Sequence, residues 1–251
     1  MSKRTGKTII GLTGNIATGK SVVRRMMEHL GAYTIDADSL AHRVLSKGAP
    51  GYQPTLDRFG KWVLDKDGNI DRAKLGKLVF SDADALAQLE EIVHPYVLQA
   101  VDLLIRRANQ RVIVVEAIKL IESGMREQCD SIWVTDAPQE VQIERLMRKR
   151  NLTREESIQR IRAQAPQSDK LAAAAVIIRN TGSYDELWNQ VSTEWKRFAP
   201  KPETGPLPAS NTQPGTYLLL RGRPRDAQRI AEFISRQSKG RRALQANDVM
   251  E

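Results

Sequence analysis

Residues Gly14-Asn15-Ile16-Ala17-Thr18-Gly19-Lys20-Ser21 fit the pattern G-x-x-x-x-G-K-[ST] at every defined position. The residue types suit the capture of phosphate. Glycines allow backbone torsions closed to other residues, so successive N–H groups can converge on phosphate oxygens. A helix starting near Gly19 adds the partial positive charge of its N-terminus. Lys20 is placed to reach β- and γ-phosphates, and Ser21 to ligate Mg²⁺ through its hydroxyl. The expected ligand is a nucleoside triphosphate, held by residues Gly14 to Val22. That alone leaves a kinase, an ATPase and a nucleotide switch open.

The segment "DADSLAH", residues 36–42, supplies the next clue. A hydroxyl group that accepts a phosphoryl group benefits from a carboxylate that orients it and takes its proton. Strand alternation would send Asp36 and Asp38 to one side with Ala37 opposite. Asp38 is the favoured catalytic base and Asp36 a substrate contact; Asp38 can also cap a helix beginning at Ser39. A third acid, Glu116, follows the apolar run "RVIVV" and is a candidate Mg²⁺ ligand beside Ser21. Arg145, Arg148, Arg150, Arg154, Arg160 and Arg162 fall on helical segments or their connection. Cations on such a segment can neutralise charge during phosphoryl transfer, and at least two are expected to reach phosphates. No His/Cys cluster has zinc spacing.

These residues need elements to hold them. An apolar strand at 7–13 leads into a helix from about Gly19 to Leu30, whose Val22, Val23, Met26, Met27 and Leu30 share a face, with Gly31 as its stop. Strands are also expected at 32–38, 111–118, 131–138 and 174–182. Residues 39–109 read as mainly helical, with a turn at 65–71. Helices follow at 139–150, at 152–164 with a capping box of Thr153 and Glu156, and at 183–198. Strands alternating with helices imply α/β architecture, a parallel sheet covered on both faces. Ligands of such sheets sit at the carboxyl ends of the strands, where Gly14, Gly19, Asp36, Asp38, Glu116 and Asp136 all fall.

Composition narrows the class further. The 251 residues are 41% hydrophobic and 27% charged, a globular profile with room for one α/β domain and an appendage. The apolar runs are too short to span a bilayer, and the basic start lacks an apolar signal core. A cytoplasmic protein without membrane contact is expected. The single cysteine, Cys129, excludes an internal disulfide and reads as a small buried filler. The net charge of +9 attracts polyanions, but aromatic residues are only 5% and interleave with no basic run, so no nucleic acid partner is expected. Trp62, Trp133, Trp188 and Trp195 fall in apolar patterns and read as core. His29 and His42 read as surface or helix-face residues. A monomer is favoured.

The combination of a phosphate loop, D-A-D about 15 residues later, His94-Pro95 in a helical region and a basic segment ending Arg160-x-x-x-Gln164 resembles the dephospho-CoA kinase family. "VIIRNTGSYDEL" (176–187) resembles that family's closing segment, and the likeness spans about residues 7–198. It implies a P-loop three-layer α/β/α fold with a five-stranded parallel sheet, a helical substrate-binding insertion (39–110) and a helical lid (145–170). It also implies transfer of the γ-phosphate of ATP to the ribose 3′-hydroxyl of dephospho-CoA. The family's roles carry over to Asp38 as base, with Lys20 and Arg145 as catalytic cations. His94, Glu122 and Arg160 become substrate contacts, and Asn180 a residue near adenine. His94 is expected to pack against or touch the substrate rather than shuttle protons.

The chain also departs from the family pattern. Asn15, Ala17 and Thr18 stand in the loop where Gly, Gly and Ser are usual, Ile118 and Lys119 replace a Pro-Leu pair, and Lys149 replaces an Arg. Lys119 would add a cation near the site, and Lys149 lacks the planar guanidinium fork. Other readings are a P-loop kinase with another small acceptor, or a nucleotide-gated binding protein. Residues 199–215 read as a linker, and 216–251 as a short extension faintly resembling the start of a GNAT acetyltransferase domain without its glycine-rich loop.

Overall fold

The computed structural model describes residues 6–198. The expected linker and the extension beyond it lie outside the described residues. Five strands, β1 (Thr8–Thr13), β2 (Tyr33–Asp36), β3 (Val112–Glu116), β4 (Ser131–Asp136) and β5 (Val176–Arg179), form one parallel sheet in the order β2-β3-β1-β4-β5. The period of two sends alternate residues to opposite faces. Ile9, Ile35, Ile113, Val115, Ile132 and Val134 face one layer of helices. Ile10, Leu12, Val112, Val114, Trp133, Val176 and Ile178 face the other.

The second layer is α1 (Lys20–His29) and α9 (Tyr184–Phe198), which bury Val23, Met26 and Met27 and Leu187, Val191 and Trp195. The first layer contains α2 (Ala37–Val44) and the long α5 (Ala83–Arg107). The buried stripe of α5, Val93, Val97, Val101 and Ile105, recurs every four residues, which keeps one face on the sheet. Each such burial contributes about 1.5–3 kcal/mol relative to exposure. Pro95 lies inside α5, and the helix continues through it.

Between α2 and α5, α3 (Tyr52–Phe59), a 3₁₀ turn at Lys61–Val63 and α4 (Arg72–Ser81) enclose a satellite core of Leu56, Phe59, Val63, Leu75, Val79 and Ala85. Three helices, α6 (Gln139–Arg150), α7 (Arg154–Arg162) and α8 (Gln167–Ala172), connect β4 to β5. The capping box of α7 is present, with the Thr153 side chain accepting from Glu156 N–H and the Glu156 carboxylate accepting from Thr153 N–H.

Three expectations need correction. Asp38 is not on the strand: β2 ends at Asp36, whose carboxylate accepts from Ser39 N–H (2.8 Å) and caps a helix that begins at Ala37. Competition from this cap ends the strand two residues early. Trp62 is 54% exposed rather than core. Cys129 is half-buried rather than fully so, and its thiol donates to Met125 O (3.4 Å).

The sheet order places the site. From β1 the chain crosses to β2 on one side, and from β3 it crosses to β4 on the other side of β1. The crevice at this reversal lies at the carboxyl ends of β1 and β3. Register brings Leu12, Glu116 and Asp36 level across three strands, so the phosphate loop after β1 and the acids after β2 and β3 share one end of the sheet.

Candidate active site

The phosphate loop turns from β1 into α1 through Gly19, whose φ of +103° favours glycine. A Cβ at Gly19 would meet Asn180 Nδ2 at 1.9 Å, so glycine is also required by close approach. Loop and neighbours line a cavity of about 590 Å³. Its loop wall is Ile16, Ala17 and Gly19 to Val22, its second wall Asp36, Asp38, Ser39 and His42, and its floor includes Glu116 and Ile118. Arg145, Arg148, Lys149 and Arg150 of α6, with Asn180, Ser183, Tyr184 and Leu187, complete it.

Lys20 is buried, and its ammonium donates to Gly14 O (2.8 Å) and Asn15 O (3.3 Å). Burial pulls its pKa below the usual lysine value, while Asp38 and Glu116 pull in the other direction. Asp38 accepts from Ile118 N–H at 3.3 and 3.2 Å, one bond to each oxygen. Burial pushes its pKa up to about 6, against the opposing pull of Lys20 and of the Ile118 N–H. A carboxylate near that value can hold or release a proton at neutral pH.

Glu116 is buried, accepts from Ser21 Oγ (3.1 Å) and pairs with Arg24 Nε (2.5 Å). Ser21 hydroxyl and Glu116 carboxylate form a hard-oxygen pair beside the loop, the donor type Mg²⁺ takes when phosphates and water supply its other ligands. Among the described residues no group of three or more His, Cys, Asp or Glu is placed to hold a metal.

Arg145 reaches the loop from α6. Its guanidinium donates to Ala17 O (3.0 Å), Asn180 O (2.9 Å) and Asn180 Oδ1 (3.1 Å), while Asn180 Nδ2 donates to Thr18 O (2.9 Å). Burial, and then Arg148, lowers the pKa of Arg145 from its ordinary value. Gly14, Asn15 and Thr18 form the back of the loop rather than its cavity wall; Thr18 Oγ1 donates to Asn15 O (2.8 Å) and lies 2.7 Å from Thr135 Oγ1.

Other expected residues stand apart from the cavity lining. His94 lies half-buried on α5, Arg160 exposed on α7, and Glu122 pairs with Lys170 Nζ (2.5 Å). Lys119 turns to an ion pair with Glu90 of α5 and is not part of the cavity wall. Its neighbour Ile118 serves through its backbone, holding Asp38 by N–H and accepting from Thr13 Oγ1 (3.1 Å) by its carbonyl. Proline at this position would carry no N–H, so the backbone hold on Asp38 exists because Ile118 stands in its place. Lys149 does line the cavity, between Arg148 and Arg150.

Several site residues escaped the sequence reading. His42 is on the cavity wall one helical turn after Asp38, and that i, i+4 spacing was the available signal. Burial, then Arg72, lowers its pKa, with Asp36 opposing. Arg24 stands one turn after Lys20, the same kind of signal. Tyr184 carried none, because it reaches the cavity only through the packing of α9.

The family model for Dephospho-CoA kinase matches residues 8–186. The chain belongs to the dephospho-CoA kinase family. A dephospho-CoA kinase of Carboxydothermus hydrogenoformans is 42% identical over 77% of this chain and 98% of its own length. One from Geobacter sulfurreducens is 41% identical over 76% of this chain and 98% of its own. Among solved structures, TT1252 from Thermus thermophilus superimposes with a TM-score of 0.69 at 31% identity, covering 78% of this chain and all of that one. The dephospho-CoA kinase from Campylobacter jejuni gives 0.55 at 30% identity, covering 76% of this chain and 96% of that one. A dephospho-CoA kinase is an ATP-using transferase, so the P-loop and the parallel sheet have their place in a phosphotransferase. No helix among the described residues is long and apolar enough to cross a membrane.

Proposed function

We propose that the cavity transfers the γ-phosphate of ATP to the 3′-hydroxyl of dephospho-CoA, with Asp38 as the base. The observation that carries this reading is that Asp38 and Lys20 line one cavity, close enough for each to perturb the other's titration. The acceptor hydroxyl approaches Asp38 from the α2 side and gives up its proton to that carboxylate as its oxygen bonds to the γ-phosphorus and the bond from that phosphorus to the β–γ bridging oxygen breaks, leaving ADP. Asp36 caps α2 and so fixes the backbone that carries Asp38. Lys20, now bonded to loop carbonyls, turns to phosphate oxygens when the nucleotide enters, and Arg145 adds a second cation from α6. Asn180 borders the adenine.

The residues between β2 and β3 act as the acceptor-binding region and α6 to α8 as the lid. The cations Arg148, Lys149 and Arg150 belong to the lid's cavity-facing end, where either arginine can supply the fork that Lys149 lacks. Ser21 and Glu116 would hold Mg²⁺, which supplies charge neutralisation on the phosphates. His94, Glu122 and Arg160 act in this reading as contacts for the acceptor away from the reacting hydroxyl.

The test is release of ADP from ATP and Mg²⁺ with dephospho-CoA, and with its 3′-deoxy analogue. Turnover with the first and none with the second is expected. Equal turnover with both, or none with either, would refute the reading.

A further inference from the structure

The two limbs of the phosphate loop are held by different parts of the molecule. Ala17, Gly19, Lys20 and Ser21 line the cavity, and the described residues supply no acceptor for their N–H groups. The entering limb is the opposite case. Asn15 N–H donates to Gln167 Oε1 (3.0 Å), Ile16 N–H donates to Gln164 Oε1 (2.7 Å), and Asn15 Nδ2 donates to Ala165 O (3.0 Å). The limb's carbonyls, Gly14 O and Asn15 O, accept from Lys20 Nζ. Gln167 is braced from behind, its Nε2 donating to Thr135 O (2.9 Å) and Asp136 Oδ1 (3.2 Å) at the end of β4.

Of the three acceptors, Gln164 and Ala165 belong to the short connection between α7 and α8, and Gln167 is the first residue of α8. A glutamine suits this place. It offers a neutral oxygen to a backbone N–H, where a carboxylate would repel a bound phosphate about one loop-width away. Asn15, which stands where the family pattern has glycine, adds a side-chain bond to the same connection.

We propose that Gln164 and Gln167 are positioning residues for nucleotide binding: they hold the entering limb of the loop so that the other limb presents its N–H groups to phosphate. The loop's phosphate-receiving form and the placement of the α7–α8 connection are then one coupled equilibrium. The inference rests on the reading of the cavity as an ATP site. It assigns no contact with substrate to either glutamine.

The test compares the full chain with its Gln164→Met and Gln167→Met variants, which keep side-chain volume and remove the acceptor. ATP, ADP and adenosine are titrated by calorimetry, and amide exchange is followed over residues 14–16 and 163–167. Each variant is expected to weaken ATP and ADP about tenfold, the scale of one lost hydrogen bond at a charged ligand's site, and to leave adenosine unchanged. Exchange should rise in both segments together. Unchanged ATP affinity, or an equal loss for adenosine, would overturn the inference. Failure of the unmodified chain to bind ATP would overturn the ATP reading itself, and the inference with it. If methionine prevents folding, Gln164→Asn and Gln167→Asn keep the amide but shorten its reach, and the same expectations apply.

Discussion

Asp38 is an acid held where burial works against its charge. Its pKa in the fold, about 6, lies above the value near 3.8 of an exposed aspartate. A raised carboxylate pKa means the folded state resists ionisation, so its cost to stability is absent below pH 3.8 and complete above pH 6. Asp38→Asn keeps an acceptor for the Ile118 N–H and removes the charge. It is predicted to stabilise the fold by about 2–3 kcal/mol at pH 8, with the gain disappearing towards pH 4. Urea unfolding at the two pH values measures it, and a loss of stability at pH 8 would count against the burial argument. At this scale the sequence was informative where residue type sets the chemistry: the loop, Asp38, Glu116 and Arg145 were all legible. Arg24, His42 and Gln167 were not, because each matters through a neighbour supplied by a different element.

The elements explain why some expected residues lie outside the cavity lining. Lys119 and Glu122 follow β3, yet the chain leaves the cavity floor after Ile118, so Lys119 meets α5 and Glu122 meets α8. Lys170 is 2% exposed, whereas the Glu122 side chain is 34% exposed. The two ends of the pair should therefore respond unequally. Glu122→Ala leaves an uncompensated buried ammonium and is predicted to destabilise by about 3 kcal/mol, while Lys170→Met fills the same volume and costs less, its abandoned carboxylate turning to water. Denaturant midpoints decide it; equal losses would mean that Glu122 is buried too. The strand and helix order was readable from periodicity, since each buried face repeats at two or four residues. The end of β2 was not, because alternation through Asp38 competes with a cap at Asp36, and only the Ser39 N–H resolves the choice.

At the scale of the whole molecule, a reversal in sheet order gathers residues that lie far apart in sequence, from Ile16 to Leu187, around one cavity. Spacing along the chain pointed to a parallel sheet with ligands at its carboxyl edge, but the order of the strands is set by crossover connections that carry no local signal. The family match over residues 8–186 covers nearly all of this cavity's lining. All three scales meet in one consequence: a cavity built at the strand ends raises one aspartate into the range where it can take a proton. Its most direct measurement is the pH dependence of kcat/KM for dephospho-CoA in the unmodified chain and in Asp38→Asn. Because the base must be ionised, kcat/KM is predicted to rise with pH through a midpoint near 6. In Asp38→Asn that limb should vanish and the plateau should fall by about 10²–10⁴-fold. A variant that keeps the same acid limb, or the same plateau, would contradict the account.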